Sequence, residues 1–144
     1  MNIDVYSDAV TEIWIYLMLN MIPLFIGALA LVIIALIGCF KRLIKKYISC
    51  LLIILAFIIS VYAITEISVF SYDIEQKNYV VHFCEFNYMQ VSGNRKDVFE
   101  ISNTPELSVR CVSDLKIRSG VHSGYILCTG NSRWVIAYSS IPFQ

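Results

Sequence analysis

Two histidines and three cysteines in the C-terminal half are the residues whose types could bind a metal. His82 and Cys84 are two residues apart, and Cys111, His122 and Cys128 complete the set. On a strand, residues two apart lie on one face, so the first two could point together. Zinc requires four converging ligands, and its sites usually contain close pairs such as C-x2-C. Because only one pair is close, we predict no metal and interpret the cysteines as core residues.

The same region holds residue types found in hydrolases, but not in the required pattern. His122 and Ser123 are adjacent and Asp114 precedes them, yet no G-x-S-x-G turn surrounds any serine. Adjacent strand residues point to opposite faces, so the pair would not converge. Gly120 and Gly124 are isolated and do not form a phosphate-binding loop. The sequence therefore predicts a non-enzymatic protein without a cofactor.

Composition favours a membrane protein. Of the 144 residues, 58% are hydrophobic and 15% are charged, which is more apolar than a soluble domain of this size requires. Two runs lack charge, Met21 to Phe40 and Ile48 to Thr65. Apolar residues extend the first run back to Ile13 and the second, beyond Glu66, to Phe70. About 20 helical residues cross a hydrocarbon core of about 30 Å. We predict a transmembrane helical hairpin over residues 13–70, because two buried helices of a soluble protein would exceed what the remaining chain could cover.

Charge predicts the orientation of this hairpin. The connecting turn 41–46 contains four cations, whereas the tail 1–12 contains only acidic charges. Under the positive-inside rule the turn is cytoplasmic and both termini are outside. Small residues in both runs favour packing of the hairpin on itself, with a homo-oligomer as the alternative. The cations that serve as topology anchors are Lys41, Arg42, Lys45 and Lys46.

The remaining chain predicts a polar stalk over 71–78 and a small all-β extracytoplasmic domain over 79–144. Turn residues recur about every ten positions, which is typical of an antiparallel sheet or barrel. The predicted fold class is therefore membrane α + β: a two-helix transmembrane hairpin followed by an all-β domain. The strands are expected at Tyr79–Val91, Val98–Ser102, Glu106–Val112, Leu115–Arg118, Gly124–Thr129 and Arg133–Ser140. In the longest strand one face is expected to carry Val80, His82, Cys84, Phe86 and Tyr88 and the other face Val81, Phe83 and Glu85, and one of the two faces must be core.

A domain of this size is near the lower limit for an independent core, so a disulfide would help it. Such a bond would join Cys111 and Cys128; three buried thiols, Cys84 included, are the alternative. Positive and negative residues are equal in number, eleven of each over the whole chain, so nothing favours nucleic acid. A protein partner is expected at a strand edge or at three aromatic residues, Tyr125, Trp134 and Tyr138.

The K-R-x-x-K-K turn and the G-Y-I-x-x-T-G-N-S-R-W-V-I pattern of Gly124 to Ile136 resemble those of a known group. The chain is similar to small two-span membrane proteins of low-GC Gram-positive bacteria, some of which are immunity factors encoded beside secreted toxins. This resemblance implies location in the bacterial plasma membrane and binding of a toxin or an envelope complex. It implies no catalytic residues. The alternative is an accessory or regulatory subunit that acts on a transporter or channel through its transmembrane helices.

Overall fold

The computed structural model describes residues 4–89, 98–101, 108–111, 115 and 117–143. Within these residues, two helices are followed by four strands. Contacts divide the chain into a helical unit, residues 17–68, and a sheet unit, residues 1–16 together with 69–144. The elements are α1 (Asp4–Phe40), α2 (Lys46–Glu75), β1 (Tyr79–Met89), β2 (Val98–Ile101), β3 (Gly120–Thr129) and β4 (Val135–Ser139).

Both helices are long and apolar enough to cross a membrane. Their most apolar windows have mean hydropathies of 2.8 and 2.7, and only 17% of each window is buried. A core helix of a soluble protein would be mostly buried, so the exposure of these apolar side chains is consistent with the prediction of two spans. The helical part of the predicted fold class is thus present.

The helices extend beyond the predicted boundaries. Residues 4–12 of the predicted tail belong to α1, and residues 71–75 of the predicted stalk belong to α2. Polar side chains mark the end of an apolar run, but they do not interrupt the backbone hydrogen bonds of a helix. α2 ends at Glu75, and Lys77, two residues later, adopts a left-handed φ of 51°. The sheet therefore follows α2 after a three-residue connection, residues 76–78.

Within the helical unit a short turn folds the chain back. A Cβ on Gly38 would overlap the side chain of Ile44, which would have to shift, and the Gly38 carbonyl accepts a hydrogen bond from the Leu43 amide at 2.9 Å. The Ser49 hydroxyl donates to the carbonyl of Ala35 at 3.2 Å, which joins the two helices. These contacts form the helical hairpin that the sequence predicts.

The strands form one antiparallel sheet in the order β2-β1-β3-β4. The longest pairing joins β1 to β3, from Tyr79 opposite Thr129 to Tyr88 opposite Gly120. The β3–β4 pairing contains a register shift at Leu127/Cys128, and such a bulge protects an edge strand from unwanted pairing. The described strands make an open sheet and not a barrel.

Two of the predicted strands are corrected by the structure. Described residues of the Leu115–Arg118 segment are not in a strand, and those of the Glu106–Val112 segment contain a single bridge, between Arg110 and Trp134. Val109, Leu115 and Ile117 instead pack against the core. Their apolar pattern therefore serves to cover the sheet. The predicted segments 90–91, 102, 106–107, 112 and 116 lie outside the described residues.

One face of the sheet carries the core of the sheet unit. The strand alternation places Cys84, Phe86 and Tyr88 of β1 on this face, each with no exposed surface. Neighbouring strands and the segment that follows β2 complete the cluster. Its further buried members are Cys111, Ile126, Cys128 and Val135.

Candidate functional site

A buried carboxylate joins the end of α2 to the turn between β3 and β4. Asp73 has no exposed surface. Its carboxylate accepts hydrogen bonds from the backbone amides of Asn131, at 3.0 Å, and Ser132, at 2.7 Å. The side chains of both residues donate as well, at 2.8 Å and 2.7 Å, and the Asn78 amide donates at 2.9 Å. We call these four residues, Asp73, Asn78, Asn131 and Ser132, the Asp73 clamp.

The chain immediately after α2 is built to place these donors. The amide of Asn78 donates to the backbone carbonyl of Asp73 at 2.8 Å, and the Asn78 carbonyl accepts from Gly130 at 2.8 Å. A Cβ on Gly130 would overlap the Asn78 side chain, so only glycine allows the turn to approach this closely. The helix end and the β3–β4 turn therefore meet through backbone as well as side-chain contacts.

The chemistry of the clamp is structural. A carboxylate offers about four lone-pair positions, and five donor atoms already occupy those of Asp73. No acceptor position remains for a metal or for a proton in transfer. In the part of the chain that the structure describes, no group of three or more His, Cys, Asp or Glu residues could hold a metal ion.

Aromatic contacts within the sheet unit join both helices to the same region. Trp14 of α1 packs edge-on against Phe70 of α2, with ring centroids 5.1 Å apart. Tyr16 of α1 packs in the same manner against Trp134, which directly precedes β4, at 5.6 Å. The guanidinium of Arg110 lies 5.5 Å from the Trp134 ring.

These contacts correct one predicted partner residue. Trp134 is only 3% exposed, so its ring is not available to a partner in the folded chain. Among the described residues, its indole Nε1 is buried and has no hydrogen-bond acceptor. The sequence indicated a strand residue at the surface because tryptophan is frequent at interfaces, but here the ring fills the space beside Tyr16.

The sheet face opposite the core carries exposed apolar side chains. Phe83 is 58% exposed and Val121 is 67% exposed. Phe83 lies directly opposite Tyr125 in the β1–β3 register, and the two rings are 5.0 Å apart, edge to face. The same alternation places two further exposed members, Val81 and Met89, on this face, whereas Leu127, which lies opposite Val81, is buried. We call the five residues the open face: Val81, Phe83, Met89, Val121 and Tyr125.

The three predicted partner residues do not form one surface. Tyr125 lies on the open face, but Tyr138 lies on the other face, where its ring packs 5.3 Å from Phe86. Its hydroxyl donates to the carbonyl of Ser123 at 3.2 Å. Tyr138 therefore supports the core. Phe83 was not among the predicted partner residues, because the alternation along β1 predicts two faces without indicating which of them is buried.

The predicted disulfide between Cys111 and Cys128 is not formed, and both residues are buried, free cysteines. Arg110 is bridged to Trp134 in parallel, which places Cys111 beside Val135, and Val135 is paired in turn with Cys128. Two strand spacings of about 4.8 Å separate the cysteines by about 10 Å, beyond the roughly 7 Å limit for a disulfide. The alternative, buried thiols, agrees with the structure.

These thiols are also poor nucleophiles and poor metal ligands. Burial raises the pKa of Cys128 to about 12, with a smaller contribution from Cys84, and burial likewise raises the pKa of the Cys84 thiol. The thiolate is the reactive form, so both groups are unreactive at neutral pH. His122 donates a ring N–H to the Arg118 carbonyl at 2.6 Å.

The helical unit contains an apolar groove of about 360 Å³. Ala28 and Ala56 are buried within it, and the Ser60 hydroxyl donates to the Ala56 carbonyl at 2.9 Å, so this hydroxyl is already paired. The groove is lined by Phe25, Ala28, Leu29, Val32, Ile53, Ala56, Phe57 and Ser60.

The predicted topology anchors, Lys41, Arg42, Lys45 and Lys46, are all exposed at or beside the helical turn. The Lys45 ammonium lies 5.9 Å from the ring centroid of Tyr47.

Comparison of the chain with known protein families, curated proteins and solved structures gives no match.

Proposed function

We propose that the chain is a non-enzymatic, membrane-anchored protein whose sheet binds a protein partner through the open face. The observation that carries this proposal is the exposure of the open face, since the core of the sheet unit lies on the other face of the sheet. Phe83 and Val121 are more than half exposed although they belong to regular strands. Apolar side chains that lie side by side at the surface, as Val81, Phe83 and Tyr125 do, mark interaction surfaces in soluble parts of proteins. Glu85 and Ser123 separate these three residues from Val121. Aromatic residues are also enriched at interfaces.

The proposed location is the bacterial plasma membrane, with the helical turn in the cytoplasm and both termini outside. Two apolar helices and four exposed cations at their turn support this topology. Anchoring would confine the sheet to the surface where a partner arrives, which raises its effective concentration. The proposed partner is a secreted toxin that the protein neutralises or a component of an envelope complex.

A photo-activated cross-linker at Phe83 tests the contact in intact cells. We expect a covalent adduct with one protein, and the first candidate is the product of the adjacent gene. Val80 is the matched control, because it is 40% exposed on the same strand but on the opposite face. Adducts of equal yield from both positions, or none from Phe83, would contradict the assignment of the open face.

A membrane-impermeant thiol reagent tests the topology. A cysteine introduced at Val121, which is 67% exposed, should react in intact cells. The native sheet cysteines Cys84, Cys111 and Cys128 are buried and should not. Labelling that requires permeabilised cells would place the sheet in the cytoplasm and refute the proposed orientation.

The groove of the helical unit favours a second candidate function, an accessory subunit that acts on a transporter or channel through its helices. Small side chains in this groove would allow close helix packing where lipid supplies no hydrophobic drive. Exchanging residues 17–68 for an unrelated two-span hairpin, while keeping 1–16 and 69–144, preserves the sheet unit. If the protein keeps its cellular function after this exchange, the result would support the binding function of the sheet. Loss of that function would support action through the helices.

A further inference from the structure

We infer that the Asp73 clamp makes the C-terminal end of α2 and the sheet one cooperative unit, so that a change in the stability of the sheet is transmitted to α2. The inference rests on the proposed function only where α2 is called a membrane span. Under that proposal, the clamp would let an event at the sheet reach the span.

The first observation is that the last turns of α2 are buried on one side against the sheet unit. Phe70 and Asp73 are three residues apart, which places them on one face of the helix. Neither has exposed surface. By contrast, Tyr72 between them is 57% exposed. The buried face carries one aromatic contact and the carboxylate of the clamp, and both connect to residues outside α2.

The second observation is that the clamp holds a turn that is itself internally bonded. Thr129 forms a hydroxyl–hydroxyl hydrogen bond with Ser132 at 2.7 Å, and its hydroxyl oxygen accepts from the Trp134 amide at 2.7 Å. Asp73 accepts hydrogen bonds from both the amide and the hydroxyl of Ser132. Loss of the carboxylate would therefore remove two hydrogen bonds from a residue at the centre of the turn.

The third observation is that the clamp and the open face share a strand. β3 contains Tyr125 of the open face and ends at Thr129 of the clamped turn. β1, which pairs with it, contains Phe83 and begins at Tyr79, immediately after Asn78 of the clamp. A partner at the open face would therefore contact the two strands that are tied directly to α2.

Spatial continuity alone does not establish energetic coupling, so the test is a double-mutant cycle read by hydrogen exchange. The full chain in lipid nanodiscs is used, and exchange of amides 70–78 is compared with exchange of β3. Ile126→Val removes one buried methyl group from the sheet core. We expect it to speed opening of β3 by about two- to tenfold.

With the clamp intact, amides 70–78 should open faster by the same factor as β3. In the Asp73→Asn background, Ile126→Val should still act on β3 but leave amides 70–78 unchanged, because the carboxamide presents an NH₂ group to donors that need an acceptor. Glu75→Gln is the matched control, since it removes a carboxylate of the same helical turn, one that accepts a hydrogen bond from the Ser71 hydroxyl of α2. It should leave the coupling intact.

The inference is overturned if Ile126→Val speeds β3 without affecting amides 70–78 in the wild-type background, or if the effect persists in Asp73→Asn. Thiol labelling of Cys84 and Cys128 reports whether Asp73→Asn unfolds the sheet. If it does, Ser132→Ala takes its place, because this variant removes one donor and keeps the backbone bonds. Coupling can be present when cross-linking at Phe83 fails, so the two proposals are separately refutable.

Discussion

Replacing Asp73 with alanine tests how strongly the clamp stabilises the sheet unit. The substitution leaves five donor atoms without their carboxylate. An unsatisfied buried donor costs about 1–3 kcal/mol, and removal of one member of a buried charged network typically costs about 3–5 kcal/mol in all. Water can reach part of this turn, because Asn131 is exposed. We therefore expect a loss of about 3–5 kcal/mol in the free energy of unfolding of the sheet.

The assay is urea unfolding of the full chain in detergent, followed by the rate at which Cys84 and Cys128 become accessible to a thiol reagent. Both thiols are buried in the sheet core, whereas Cys39 and Cys50 are exposed on the helices and label first. Glu75→Gln, in the same helical turn, should change the free energy by less than about 0.5 kcal/mol. A loss below about 1 kcal/mol for Asp73→Ala would refute the structural role of the clamp.

Three further predictions concern the sheet unit and the helices. Raising the pH from 9 towards 12 should lower the free energy of unfolding by up to about 1.4 kcal/mol per pH unit, because the pKa of the Cys128 thiol is near 9.0 in the unfolded chain and about 12 in the folded chain. Cys128→Ala should reduce this slope in urea unfolding at several pH values, and an unchanged slope would contradict the prediction. Phe86→Ala should lower the free energy of unfolding by about 3–5 kcal/mol and Phe83→Ala by at most about 1.5 kcal/mol, since only Phe86 is fully buried. Equal losses in urea denaturation would contradict the assignment of Phe86 to the core face and Phe83 to the open face. Gly130→Ala should destabilise the sheet, because the added Cβ would overlap the Asn78 side chain. Gly27→Ala should be neutral or stabilising, because a Cβ at position 27 meets nothing within 4 Å, and thermal unfolding temperatures of the two variants test the difference.

Part of the candidate site could be predicted from the sequence. The alternation along β1 correctly separated Cys84, Phe86 and Tyr88 from Phe83, and Tyr125 was named as a partner residue that lies on the open face. Which face is buried depends on residues that are distant in the chain, Val109, Leu115 and Ile117, and their packing leaves no local signal. The alternation therefore predicted the two faces but not their roles.

The clamp was missed because its parts are far apart in sequence. Asp73 follows an apolar run and reads as an ordinary polar residue in a stalk, while Asn131 and Ser132 read as ordinary turn residues. They meet only when β3 pairs with β1 and returns its end to the end of α2. The same long-range pairing corrects the disulfide, because two strand spacings separate residues that looked available to each other.

The sequence by itself determined the two apolar helices, their connecting turn and the presence of a sheet, because chain length, hydrophobicity and turn residues act locally. Only the tertiary structure decided that α2 continues to Glu75, that Trp134 is buried and that Asp73 accepts five donors. The burial of a side chain is set by whichever distant segment packs against it. Local periodicity restricts that choice to a face, and the energy of the whole packed unit selects which face becomes the core.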